Sequence, residues 1–321
     1  MIRKYAEWIE ENVSPWLRDE VKQVTVTASD GIRINGYYAL HPAEKASVLM
    51  IHGFCEFFGK YHETAYRFWQ AGYSVFFIEL RGHGKSERTA QYEQGGVHVD
   101  SFSEYIDDVR SFIDQVVEPE TVTGDLFLFA HSMGGAVGAL LLEEYPSFFR
   151  CGVLSSPMLK MDFGRVPEMA VRAMAVYSNL RNITEKYAPG QHSFTGEYLF
   201  DDSSALSEER YMYQFDQRLQ DPDYRTWGGT FGWVRAAREA SRQAVKNAGH
   251  LKVTVLLCQA GKDTVVDNAG QNEFALLSDH VVLRRYENAR HEIYNAGDEE
   301  REKYYKDILT FFGSFCSRKG G

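Results

Sequence analysis

Several short segments of this chain are apolar throughout, and that property restricts its fold more than any other. Ser47-Val48-Leu49-Met50-Ile51, Tyr73 to Ile78, Leu126-Phe127-Leu128-Phe129, Cys151 to Leu154 and Val253 to Leu257 contain few polar residues. A strand with one face in water alternates polar and apolar residues, whereas a strand covered on both faces does not. Helical periodicity lies between these segments: about Tyr61 to Ala71, then Phe102, Ile106, Val109, Ile113 and Val116 ahead of Pro119, then Ala136 to Leu142, Ala269 to Leu277 and Glu299 to Phe315. Alternating strands and helices with doubly covered strands predict an α/β architecture built on a mostly parallel, doubly wound sheet. Ahead of it, Val24 to Thr27 and Ile32 to Leu40 read as an antiparallel hairpin, with Asp30-Gly31 supplying the positive φ of its turn.

The alternation lapses between about Lys160 and Val234, where methionines, aromatics and closely spaced charges replace apolar strands. We read residues 160–235 as a mostly helical cap inserted into a core formed by residues 1–159 and 236–321. A net charge of −10, a pI near 5.5 and the lack of a basic stripe argue against nucleic acid as a partner. Cys55, Cys151, Cys258 and Cys316 are widely spaced, which suits a reducing, cytoplasmic setting and implies no metal site. No stretch approaches the roughly 18 apolar residues of a membrane span, and the N-terminus lacks the apolar core of a leader. Ile2, Tyr5, Ile9 and Val13 share one helical face that either packs on the protein body, the commoner fate, or makes peripheral contact with a membrane.

The Leu126–Phe129 strand runs into Ala130-His131-Ser132-Met133-Gly134-Gly135 and then another apolar run. Strand, Ser132 and helix in succession match the context of a G-x-S-x-G nucleophile elbow, with Ala130 in place of the first glycine. The tight turn needs small neighbours two residues away, and Ala130 and Gly134 are small. A serine in an ordinary strand-to-helix turn is the bland alternative. A nucleophile also requires a base and a carboxylate, which in this chain order follow two later strands. Asp263 follows the strand ending near Cys258, and His291 follows the next strand, Val281 to Leu283. Asp267 is the rival carboxylate but is placed to cap a helix. His52, His83 and His131 are expected to be structural. The backbone N–H groups of Phe54, after the early strand, and Met133, after the serine, are the candidate oxyanion donors.

His52-Gly53 with Glu56 and Tyr61, Arg81-Gly82-His83-Gly84 with Ser86, His131 to Gly135, Asp263 to Asp267 and His291-Glu292 together resemble the α/β-hydrolase superfamily. Within it they resemble the monoacylglycerol lipase and bacterial lysophospholipase group of serine hydrolases. Glu209-Arg210-Tyr211, Gly228-Gly229-Thr230 and Trp233-Val234 look like the cap of the bacterial lysophospholipases. The resemblance implies a serine esterase acting on lipid esters with one acyl chain, without cofactor. Cys55 and Phe57-Phe58 depart from the monoacylglycerol lipase pattern beside the oxyanion loop. Met158, Met161, Met169 and Met174, with Tyr177, Phe194, Tyr198 and Phe200, are the expected lining of an acyl tunnel under the cap. An esterase for small non-lipid substrates, an aminopeptidase or amidase of the same fold, and a non-catalytic scaffold are the rival readings.

Overall fold

The computed structural model describes residues 3–316 except 92, 94 and 165. Among these, β1 (Lys22–Thr27), β2 (Arg33–Ala39), β3 (Ser47–Ile51), β4 (Ser74–Glu79), β5 (Leu126–His131), β6 (Cys151–Ser155), β7 (Thr254–Ala260) and β8 (Val281–Tyr286) form one sheet. Its order is β1-β2-β4-β3-β5-β6-β7-β8. The β1–β2 and β2–β4 pairs are antiparallel and every other pair is parallel. The sheet is therefore mostly parallel with an N-terminal antiparallel hairpin. The hairpin turn is longer than the Asp-Gly pair alone: Thr27 pairs with Arg33, and Gly31 sits inside a five-residue loop at φ 91°.

The helices follow the expected alternation. They are α1 (Arg3–Trp8), α2 (Ser14–Asp19), α3 (His62–Gln70), α4 (Ser103–Phe112), α5 (Glu118–Glu120), α6 (Met133–Glu144), α7 (Glu168–Leu180), α8 (Glu208–Gln220), α9 (Phe231–Asn247), α10 (Asn268–Leu276) and α11 (Asp298–Phe315). The apolar strands are covered on both faces, which is why they do not alternate. Leu49, Ile51, Phe76, Ile78 and Leu128 join the core beneath α4, α6, α9 and α10. Val48, Met50, Phe77 and Phe129 join the core beneath α3, α11 and the N-terminal helices. The edge strand β8 is mostly exposed and carries Arg284 and Arg285, charges that discourage further strand pairing.

Two expectations need correction. The 160–235 stretch is not mostly helical: between α7 and α8 the chain runs without a helix from residue 181 to 207. That run contains Asn182, Gly190 and Gly196 at positive φ, together with Pro189, and holds no apolar stripe that could bury a helix face. The expected boundary at 235/236 also falls inside one helix. α9 continues to Asn247 and buries Ala236, Ala237, Ala240 and Ala244 beside α6.

The N-terminal stripe packs inward. Tyr5, Ile9 and Val13 are 8%, 3% and 0% exposed, and the Tyr5 ring meets Tyr213 edge-on at 5.8 Å. Ile2 lies outside the described residues. Ile9→Ala is expected to cost about 2–5 kcal/mol in urea unfolding, the range for truncating a buried isoleucine. An unchanged unfolding midpoint would show that this face is not part of the core.

Candidate active site

The carboxyl ends of parallel strands share one edge of the sheet, and that edge is where ligands bind in open α/β sheets. β5 stops at His131 and α6 starts at Met133, so Ser132 alone makes the reversal. Its backbone sits at φ 54° and ψ −117°. Only small residues fit around such a turn. A Cβ on Gly134 would lie 2.4 Å from the His52 carbonyl oxygen, and one on Gly135 would lie 2.7 Å from Pro157. The same packing brings the β3 loop against the serine, since a Cβ on Gly53 would stand 3.0 Å from the Ser132 Cβ.

Two other strands deliver the partners. His291 Nε2 lies 2.7 Å from Ser132 Oγ, and His291 Nδ1 lies 2.8 Å from Asp263 Oδ2. Asp263 Oδ1 accepts from the N–H groups of Val265 at 2.9 Å and Val266 at 3.1 Å. Burial opposes ionisation of Asp263, yet the His291 ring and these hydrogen bonds hold its carboxyl below the usual range. With Asp263 ionised, Nδ1 carries the imidazole proton and Nε2 is left free to accept the serine proton.

Asp267 instead caps α10 through the Ala269 N–H at 2.8 Å and pairs with Lys160 at 2.6 Å. The other histidines hold loops. His52 Nε2 accepts the Leu80 N–H at 3.0 Å, so Nδ1 donates to the Gly53 carbonyl at 2.6 Å. His83 Nδ1 lies 3.1 Å from the Arg81 carbonyl oxygen, and His131 Nδ1 lies 3.1 Å from that of Ser155. Burial pushes His131 down to about 3, so it is neutral near pH 7 and makes no ion pair with Glu56 at 3.8 Å.

Sequence reasoning assigned no role to a buried charge cluster beside these residues. Glu56 accepts the Gly53 N–H at 2.6 Å, the Tyr294 hydroxyl at 3.1 Å and the Tyr61 hydroxyl, and its carboxylate lies 2.6 Å from Lys60 Nζ. Lys60 also reaches Glu292, the neighbour of His291, at 2.7 Å. The cluster thus ties the loop bearing Phe54 to the loop bearing His291. Burial opposes charge on both Glu56 and Lys60, but each is held ionised by its partners, with Glu56 well below and Lys60 above its ordinary value. The Glu56-to-Lys60 spacing is visible in the sequence, but Glu292 lies 232 residues away.

A cavity of about 460 Å³ opens onto Ser132 and His291. Its wall includes Phe54, Phe194, Tyr211, Gln214, Phe215, Arg218 and Trp227. Phe194 is the one expected tunnel residue among those lining it. Met169 and Tyr177 point outward from α7, 82% and 53% exposed, and Met174 lines a separate crevice with α9 residues. Met158 is buried in the core, its N–H donating to the Ser132 carbonyl at 2.9 Å, while Met161 packs on the same core and bridges to Val266. Tyr198 touches the wall residues Tyr211 and Phe215 at 5.1 and 5.3 Å, and Phe200 touches Tyr211 at 5.5 Å. The physical reason is that α8 and the irregular run before it contribute to the wall, whereas α7, which carries Met169 and Met174, packs on α9.

Glu56→Gln is expected to lower stability by about 3–5 kcal/mol near neutral pH, because the change breaks a buried, hydrogen-bonded ion pair. The depressed folded-state pKa of Glu56 means that its contribution is complete above its ordinary 4.5 and is lost as pH falls below that value. The gap between wild type and variant should therefore narrow in urea unfolding as the buffer is taken below 4.5. A pH-independent gap would contradict an ionised Glu56.

Residues 42–298 match the family described as serine aminopeptidase, S33. The chain is 30% identical over 281 residues to lysophospholipase L2 of Escherichia coli, covering 85% of this chain and 82% of that protein. It is 27% identical over 267 residues to a monoacylglycerol lipase of Mycolicibacterium smegmatis, covering 82% and 86%. Among solved structures it is similar to a soluble variant of monoglyceride lipase from Saccharomyces cerevisiae, with a TM-score of 0.73, 16% identity and coverage of 93% and 96%. A monoacylglycerol lipase from Paleococcus ferrophilus gives a TM-score of 0.65 at 22% identity, covering 92% and 99%. At those identities the solved structures speak to fold, and the sheet order and elbow described above are that fold. With the family match spanning most of its length, the chain belongs to the serine aminopeptidase S33 family and has the α/β-hydrolase fold.

Proposed function

We propose that this protein is a serine hydrolase that cleaves the carboxylic ester of lipids with a single acyl chain, of the lysophospholipase or monoacylglycerol lipase type. One observation carries the reading: the unbroken hydrogen-bond chain from Ser132 Oγ through His291 to Asp263, at the floor of a cavity. His291 Nε2 takes the Ser132 proton as Oγ attacks the ester carbonyl, and Asp263 stabilises the imidazolium through Nδ1–H. The N–H of Met133, which as the first residue of α6 has no partner inside the helix, and the N–H of Phe54 receive the negative charge on the carbonyl oxygen. His291 returns its proton to the leaving alcohol. Water then repeats the sequence on the acyl-enzyme and releases a fatty acid.

The lipid part of the reading rests on the names of the relatives and on the cavity. Its volume of about 460 Å³ lies within the usual range for small-ligand sites, and Phe54, Phe194, Phe215 and Trp227 offer an acyl chain apolar contact. Residues 160–235 would then act as a cap over the strand ends, with α8 and residues 191–204 as its working surface. The family's own description favours an amide as the second reading. Aminoacyl nitroanilides tested beside nitrophenyl esters and monoacylglycerol separate the two.

Ser132→Ala is expected to lower kcat for ester hydrolysis by at least about 10³-fold and to abolish labelling by a fluorophosphonate. His291→Ala should cost nearly as much, and the double variant little more, because the groups act as one unit. Retention of more than about a twentieth of wild-type turnover by Ser132→Ala would exclude the nucleophile assignment, since that loss is far smaller than removal of a nucleophile produces.

A further inference from the structure

One face of α8 forms part of the cavity wall. Tyr211, Gln214, Phe215 and Arg218 are spaced by three, four and seven residues, so all four project to the same side of the helix. Two of them are polar and buried. Arg218 is 7% exposed and donates to the carbonyls of Cys55 at 2.7 Å and Thr226 at 2.9 Å. Its guanidinium lies over the rings of Phe57 and Trp227, each at 5.1 Å, and of Phe194 at 5.6 Å. Among the described residues no carboxylate lies within 4.0 Å of it. Its charge interacts with Glu56 and Glu292 from farther away, and both are already bound to Lys60.

A buried guanidinium without an anion is costly, and it carries more N–H donors than two carbonyls occupy. Gln214, one turn earlier, is 9% exposed and its Oε1 has no hydrogen-bond partner. A neutral glycerol head would leave the charge of Arg218 unmatched, whereas a phosphate would match it and accept its remaining donors. In a single-chain phospholipid the glycerol unit joins the phosphate to the scissile ester. A cavity that receives both groups therefore needs a cation on its wall and the nucleophile at its floor.

We propose that the α8 face is a subsite for the phosphate of a single-chain phospholipid, with Arg218 taking the phosphate oxygens and Gln214 a neighbouring glycerol hydroxyl. The proposal rests on the ester-hydrolase reading above and narrows it to a charged head group.

The test compares wild type, Arg218→Lys and Arg218→Met on lysophosphatidylcholine, the monoacylglycerol of the same chain, and nitrophenyl butyrate. The ratio of kcat/KM for lysophosphatidylcholine to that for monoacylglycerol should fall by about tenfold or more in Arg218→Met, mainly through KM, and recover in part in Arg218→Lys. An equal loss on all three esters would overturn the proposal, since it would make Arg218 only a strut for the Cys55 loop. An unchanged ratio would overturn it as well. A second measurement needs no variant: glycerophosphocholine should inhibit wild-type nitrophenyl ester hydrolysis competitively at concentrations where glycerol does not. Inhibition by inorganic phosphate alone would place a free phosphate there rather than a lipid head group and overturn the proposal, as would no inhibition by either. Wild type that fails to cleave any of the three esters would instead refute the hydrolase reading.

Discussion

The chemistry available to this protein depends on one backbone conformation, the left-handed φ of 54° at Ser132. A non-glycine residue held there costs on the order of 1–3 kcal/mol, so the surroundings must enforce it. They do so from both sides of the turn. The Ser132 N–H donates to the Ser155 carbonyl at 3.0 Å, and its own carbonyl accepts from Met158 at 2.9 Å. β6 and the segment after it therefore grip the reversal while α6, entirely buried through Leu142, fixes its direction. The conformation lifts the hydroxyl above the sheet edge, where a histidine from a different strand end can reach it.

Convergence of separate loops brings a second demand, because loops at strand ends are not held by the sheet ladder itself. Here the answer is electrostatic. Glu56 and Glu292 share Lys60, while Tyr61 and Tyr294 close on Glu56. Burying two carboxylates and an ammonium seldom stabilises a fold more than an apolar cluster of the same volume would. What the cluster supplies is position: Gly53, which abuts Ser132, and the loop carrying His291 are bound to one carboxylate. Its place beside the site is thus better explained by geometry than by stability.

The core elements were legible because burial on both faces leaves a plain sequence signature, as in Leu126 to Phe129 and Ser47 to Ile51. The positions of Ser132, Asp263 and His291 were legible for a related reason: in a parallel sheet, the residues just past successive strands must meet at one edge. The same logic failed for the cavity wall. Met169 and Tyr177 lie in a helix with apolar residues on several sides, and composition did not reveal which side packs on α9. Residues 181–207 have no period from which to infer direction. The partnership of Lys60 with Glu292 could not be read either, since spacing along a chain says nothing about loops joined through the fold.

The α8 stripe is the instructive intermediate case. Tyr211, Gln214, Phe215 and Arg218 carry a helical period that was present in the sequence, yet the stripe mixes aromatic and polar residues and so resembles neither a core face nor a solvent face. A helix facing a water-filled or ligand-filled cavity has that mixed character, because its neighbours are neither packed side chains nor bulk solvent. Regular elements with uniform burial thus fix the strand ends from which Ser132, Asp263 and His291 converge, while the α8 stripe borders a cavity and not a packed core. A chain of this kind discloses its reaction class through strand ends and turns. The mixed stripe is placed in the wall of the cavity that also holds Ser132 only by the fold, and the sequence alone does not show that placement.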